Sequence, residues 1–124
     1  MEDERIWDFE RELWVGGDAV YRERVSEDCL MALPGEPFLF GGDEAAKAVE
    51  QTPRWRDVRF CEQRVSRPQE GLIVIAYRVE AQKEEGSYHA LCTTTLRRRA
   101  HEEWDVVQHQ QTPLGMMVAD PRQT

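Results

Sequence analysis

Apolar positions recur at three- and four-residue steps over the first part of the chain. Ile6, Glu10, Leu13, Gly17, Val20, Tyr21 and Arg24 share that stripe, and its period predicts one long helix over residues 3–27. Asp3 is the candidate N-cap, with Glu4 beside the positive end of the helix dipole. Gly16-Gly17 falls inside this helix, where each glycine costs roughly 1 kcal/mol against alanine. The pair either lets a sheet pack closely or marks a bend. After Asp28 the period breaks. Residues 29–33 form a short apolar run ahead of the turn Pro34-Gly35, and residues 37–40 a second short extended piece. Asp43 is the candidate cap of a short helix over 44–51, which Thr52-Pro53 ends, because proline disfavours a helical residue before it.

From Trp55 onward the apolar residues alternate, which predicts strands over 55–65, 71–82, 88–98 and 104–112. Helix, short helix and then a run of antiparallel strands is an α+β pattern. The turn Lys83-Glu84-Glu85-Gly86 places Gln82 opposite Ser87. Tyr77 then faces Cys92, Ile75 faces Thr94 and Ile73 faces Leu96, an apolar face expected to meet the helix. His89, opposite Glu80, is expected to face outward. The register of the last hairpin has two solutions. A three-residue loop turns Trp104, Val106, Gln108, Gln110 and Thr112 inward. A two-residue loop turns Val107, His109 and Gln111 inward, and joins Val107 and His109 to Leu96 and Thr94. A slip of one residue exchanges the two faces. The join to Leu96 and Thr94 favours the second register.

Composition narrows the class. The chain has 124 residues, 40% apolar and 32% charged, which suits one soluble domain with a real core. We expect the domain to span 1–114 and a loose tail 115–124, where Met116, Met117, Asp120, Pro121 and Gln123 show no period. No apolar run is long enough for a bilayer, and the acidic start Met1-Glu2-Asp3-Glu4 is unlike a signal peptide, so a cytoplasmic location is expected. The net charge of −8 disfavours nucleic acid as a partner. The basic run Arg97-Arg98-Arg99 is expected to be neutralised across a turn by Glu102, Glu103 and Asp105. Cys29, Cys61 and Cys92 form no Cys-x-x-Cys pair and read as reduced thiols. His89, His101 and His109 lack metal-ligand spacing, and no glycine-rich phosphate loop is present, so neither a metal nor a cofactor is expected.

Several local pieces then match a known group in their order. They are Leu13-Trp14 with Gly17-Asp18, Glu27-Asp28 before an apolar strand, Pro34-Gly35, and Gly42-Asp43-Glu44 opening a short helix. Ala76-Tyr77-Arg78 follows in a central strand, and Trp104 with His109-Gln110-Gln111-Thr112-Pro113 in the last. Together they resemble the NTF2-like superfamily, and within it the small bacterial SnoaL-like or DUF4440-like proteins. The resemblance implies a cone-shaped, cystatin-like α+β fold, with the long N-terminal helix packed on a curved antiparallel sheet around a cavity. It also implies a homodimer formed through the sheet. It implies no single activity, because the superfamily holds isomerases, dehydratases, epoxide hydrolases, cyclases and non-catalytic association domains.

The residues themselves offer a short list of chemistry. Glu10 lies near the centre of the apolar stripe, where desolvation raises a carboxyl pKa and suits it to proton transfer; the alternative is a hydrogen-bond anchor to a nearby tyrosine or tryptophan that holds the helix on the sheet. Asp28, at the expected helix exit, is a second candidate acid. Tyr77 is a candidate donor to a substrate oxygen, or a core tyrosine with a satisfied hydroxyl. His109 is the one imidazole able to face inward and pair with Glu10. Trp14, Tyr21, Trp55, Cys92, Thr94 and Gln111 are the candidate pocket lining. Two functions remain open. One is cofactor-free acid–base chemistry, of isomerase, dehydratase or hydrolase type, on a small apolar or mixed-polarity molecule. The other is a non-catalytic dimeric module that binds a ligand or a protein.

Overall fold

A computed structural model of the chain describes residues 1–84 and 86–115. Apart from Gly115, the expected loose tail lies outside the described residues. The first apolar stripe folds as two helices and not one, α1 (Asp3–Val15) and α2 (Asp18–Arg24). Gly16 is extended, with φ −76° and ψ 162°. A Cβ there would lie 2.5 Å from the Glu12 carbonyl oxygen and 2.7 Å from Val20 Cγ2. Only a residue without a side chain lets the two helices meet so closely, so the glycine pair marks the bend. The expected continuation to Glu27 is therefore replaced by a strand, β1 (Val25–Ala32). The N-cap position of α1 is Glu2 and not Asp3, and no side chain caps it.

β2 (Leu39–Gly41) leads directly into α3 (Gly42–Glu50). The cap position is Gly41 and not Asp43, and the Glu44 carboxylate accepts the Gly41 N–H at 3.0 Å. A Cβ on Gly42 would sit 2.2 Å from the Ser26 carbonyl oxygen, so glycine lets α3 touch the β1 backbone.

The remaining strands are β3 (Asp57–Gln69), β4 (Leu72–Lys83), β5 (Gly86–Ala100) and β6 (Glu103–Pro113). They form one six-stranded sheet in the order β2-β1-β6-β5-β4-β3. All neighbours are antiparallel except β1 with β6, which run parallel. β4 and β5 pair as expected, Gln82 with Ser87 through Ile73 with Leu96. Their inner faces, from Ile73, Ile75, Tyr77 and Val79 to Ala90, Cys92 and Leu96, are buried. Ile6, Glu10, Leu13 and Trp14 of α1 are buried with them.

Bulges curve this sheet and set which side chains face inward. In β3, Cys61 pairs with Arg78 and Arg64 with Ala76, so Glu62 and Gln63 both oppose Tyr77. Glu62 takes φ 53° there, and a bulged strand bends. In β6, Thr95 pairs with Gln108 but Leu96 pairs with Val106, leaving Val107 as the extra residue. Each register expected for the last hairpin is thus right over half the strand. Val106 is buried beside Leu96 near the turn, and His109 is buried beside Thr94 beyond the bulge. Val107 does not join Leu96, contrary to expectation. The loop is the two-residue His101-Glu102, with Ala100 paired to Glu103.

The basic run is neutralised across the turn by Asp105, as expected, but not by Glu102 or Glu103. Arg97 and Arg99 approach Asp105 Oδ2 at 3.5 and 3.8 Å, and Arg98 meets Glu70 at 3.1 Å. Glu102 pairs instead with Arg5 at 2.9 Å. Cys29, Cys61 and Cys92 are free thiols. Among the described residues no helix is long and apolar enough to cross a membrane.

Candidate functional site

Helical spacing brings Glu10 to the middle of the α1 face that lies on the sheet, and Trp14 one turn later onto the same face. Strand alternation turns Tyr77 of β4 and Thr94 of β5 toward it, and the β6 bulge adds His109 and Gln111. The Glu10 side chain is fully buried, so its charge has to be met by hydrogen bonds. Its Oε2 accepts the Tyr77 hydroxyl at 2.5 Å and the Thr94 hydroxyl at 2.5 Å. Trp14 Nε1 donates to the Tyr77 oxygen at 2.9 Å. Glu10 Oε1 has no partner among the described residues.

The chain of bonds continues from Thr94 to the opposite side. Thr94 Oγ1 lies 2.7 Å from His109 Nδ1, His109 Nε2 lies 3.1 Å from Gln111 Nε2, and Tyr88 donates to Gln111 Oε1 at 3.0 Å. The donors can be assigned by counting protons. When Glu10 is ionised, Thr94 gives its one hydroxyl proton to the carboxylate, so His109 Nδ1 must carry a proton and donate to Thr94. Nε2 is then the lone-pair nitrogen, and it accepts from the Gln111 amide, whose oxygen takes the Tyr88 proton. From Tyr88 and from Trp14, every donor in the network points toward Glu10.

Burial shapes the acidities. It raises Glu10 from 4.5 to about 7, against the lowering effect of the Thr94 and Tyr77 hydrogen bonds. It lowers the His109 imidazole from 6.5 to about 4, which leaves the ring neutral at neutral pH. The approach of Nδ1 to Glu10 Oε2 at 3.7 Å is thus a contact bridged by Thr94 and not an ion pair at that pH. Burial, and next the Glu10 charge, holds the Tyr77 phenol well above 10, so it keeps its proton and donates it to Glu10.

Beside this network lies a cavity of about 240 Å³ between α1, α2, α3 and the sheet. His109 and Gln111 line it together with Trp14, Tyr21, Trp55 and Arg54. Most of the remaining lining is apolar, including Leu13, Met31, Phe40 and Val49. Trp55 stacks on Tyr88 with ring centroids 5.4 Å apart and planes 15° apart. Trp14 meets His109 edge-on at 6.1 Å. The buried network reaches the cavity at His109, Gln111 and Trp14. Among the described residues, no group of three or more His, Cys, Asp or Glu side chains is placed to hold a metal ion.

No family model matches the sequence, and no curated protein matches it. Solved structures do match in shape. An NTF2-like protein from Cytophaga hutchinsonii superposes with a TM-score of 0.73 at 16% identity, covering 92% of this chain and 100% of that one. A ketosteroid isomerase-like protein from Erwinia carotovora gives 0.61 at 16%, covering 79% and 81%. The association domain of CaMKII from C. elegans gives 0.69 at 10%, covering 88% and 90%. The chain has the NTF2-like fold.

Within this NTF2-like cone, the expected site residues divide into three groups. Trp14, Tyr21, Trp55, His109 and Gln111 line the cavity. Glu10, Tyr77 and Thr94 lie behind the lining in the buried network, so a ligand in the cavity reaches them through His109 on one side and Trp14 on the other. Cys92 also lies off the cavity, in the core, with its thiol pushed up to about 12 by burial and next by the Glu10 charge. Asp28 does not belong to the site. It is exposed on β1, its N–H donates to Ser26 Oγ at 3.0 Å, and it borders a separate polar recess with Arg97 and Arg99. The cause is the early end of the helix, which moves Asp28 from a helix exit onto a strand. Sequence pattern missed Arg54, whose place follows from a contact with α1 that no local signal announces. It also missed Tyr88, although its register opposite Ala81 already put it on the inner face.

Proposed function

We propose that the cavity binds a small, largely apolar carbonyl compound and that the protein catalyses a cofactor-free proton shift on it, as an isomerase or dehydratase does. The observation that carries this reading is the hydrogen-bond chain from the cavity wall to Glu10, with every donor aimed at the carboxylate. In the proposed step a substrate C–H bond next to the carbonyl breaks. Its electron pair moves toward the carbonyl oxygen and its proton goes to His109 Nε2. The Nδ1 proton passes to Thr94, and the Thr94 proton passes to Glu10. Alone, an imidazole held near 4 is a weak base, whereas a terminal acceptor near 7 is matched to neutral pH. The Gln111 N–H, released from Nε2, becomes a donor for the developing oxyanion. Return of the proton to another carbon completes an isomerisation.

The test is hydrogen exchange of small cyclic ketones in D2O, followed by mass spectrometry. Wild type is expected to incorporate deuterium, and His109→Gln and Glu10→Gln are each expected to slow it by about a hundredfold or more. Unchanged exchange in Glu10→Gln would remove the carboxylate from the mechanism.

A second reading is favoured by the outer sheet face. Leu30 and Leu91 are 71% and 46% exposed there, and one structural neighbour is an association domain. In that reading the chain is a dimeric binding module and the buried network is structural. The SnoaL-like or DUF4440-like grouping is likewise our proposal, and rests on the sequence pieces alone.

A further inference from the structure

We propose that the ligand of the cavity carries a carboxylate, and that Arg54 is the residue that selects it. The inference rests on the reading of the cavity as a small-molecule site and adds the ligand's charge. Arg54 is the one lysine or arginine among the described lining residues, and it makes no ion pair with any described residue. Its Nε donates to the Gly16 carbonyl at 2.7 Å and its Nη2 to the Leu13 carbonyl at 2.5 Å. The guanidinium also lies over the Tyr21 ring, 5.5 Å from the centroid.

A guanidinium has five N–H donors in one plane. The two bonds to the end of α1 use the Nε/Nη2 edge and hold that plane still. Arg54 also interacts with the Tyr21 hydroxyl through its charge and a hydrogen bond, but no described carboxylate or backbone carbonyl occupies the Nη1/Nη2 edge, and such an edge takes a carboxylate through two parallel hydrogen bonds. A cation fixed beforehand in an apolar wall loses little freedom when an anion binds, and its attraction is stronger there than in bulk water. The chain as a whole carries −8 and repels anions at long range, so discrimination in favour of one must be local. Glu36 is the one carboxylate among the described lining residues and is exposed. Glu10 lies behind His109 with its pKa raised by burial to about 7, so Arg54 is the one fixed charge among the described lining residues that are not exposed. Trp14, Trp55 and the aliphatic lining supply the apolar body of the site. The ligand class is therefore a small aromatic or aliphatic monocarboxylic acid, including a keto acid.

The probes are phenylacetate and phenylacetamide, which share a shape and differ in charge. Binding is followed by calorimetry and by the fluorescence of the cavity tryptophans. Wild type is expected to bind the acid about tenfold or more tightly than the amide, as a charge-assisted pair requires. Arg54→Gln is expected to bring the acid down to the level of the amide while the amide changes by less than about twofold, and Arg54→Lys to keep part of the preference. The wild-type comparison stands without any variant, should Arg54→Gln fail to fold once the end of α1 is released. Equal binding of the two probes by wild type would overturn the carboxylate and leave the cavity reading intact. An unchanged preference for the acid in folded Arg54→Gln would overturn the role of Arg54. Binding of neither probe would overturn this inference together with the small-molecule reading.

Discussion

Glu10 and His109 share one network, yet burial moves their acidities in opposite directions. Native Glu10 holds its proton up to about 7 where an ordinary carboxyl releases it near 4.5. The folded state therefore binds more protons between those values, and stability falls as pH rises through them. Native His109 stays unprotonated down to about 4 where a free imidazole takes a proton near 6.5. The folded state binds fewer protons in that window, and stability rises with pH. Each effect is worth roughly 3 kcal/mol at its limit, so between 4.5 and 6.5 they largely cancel. The variants should separate them. In urea titrations across roughly pH 4–7.5, Glu10→Gln should gain stability with rising pH relative to wild type, and His109→Gln should lose it. Parallel pH profiles for both variants and wild type would mean that neither group is desolvated as described.

At the scale of elements, Gly42 decides how α3 meets the sheet, and Gly17 is its contrast. The carbonyl of Ser26 sits where a Gly42 side chain would begin, 2.2 Å away, so Gly42→Ala forces α3 off β1. We expect a loss of about 2 kcal/mol or more, as for other overpacked sites. At Gly17 a Cβ would meet nothing within 4 Å, and the backbone is extended at φ −90°. Gly17→Ala should therefore stay within about 0.5 kcal/mol of wild type. Thermal melts of the two variants check the contrast, and an equal loss in both would sink it. The bulge at Val107 is the other decision at this scale. It lets one strand bury Val106 under the turn and then offer His109 and Gln111 to the cavity, which a regular strand does not do.

At the scale of the whole molecule, the helices among the described residues cover one face of the sheet. The other carries the polar pairs Thr93–Gln110 and Thr95–Gln108 at 2.8 and 2.9 Å beside the exposed Leu30 and Leu91. We expect that face to join two copies, an isologous contact. Native mass spectrometry at micromolar concentration should show a dimer, and Leu30→Glu with Leu91→Glu should yield a folded monomer. A monomeric wild type would remove the dimer.

The fold class and the pairing of the two central strands were legible in the chain itself, because turn chemistry and period-two alternation are local signals. So was the placing of Glu10 on the buried face of the first helix, since helical spacing needs only neighbours in sequence. A break at Gly16-Gly17 was one of two readings of that pair, and its sharpness depends on Val20 and Glu12 meeting across it. What only the tertiary structure decided were the contacts between distant segments. Asp28 left the site because the helix ended early, Arg54 entered the cavity because the end of α1 offered it two carbonyls, and His109 turned inward because a bulge corrected the register. Each depends on where a remote backbone group lies, and residue type and spacing along the chain do not encode that.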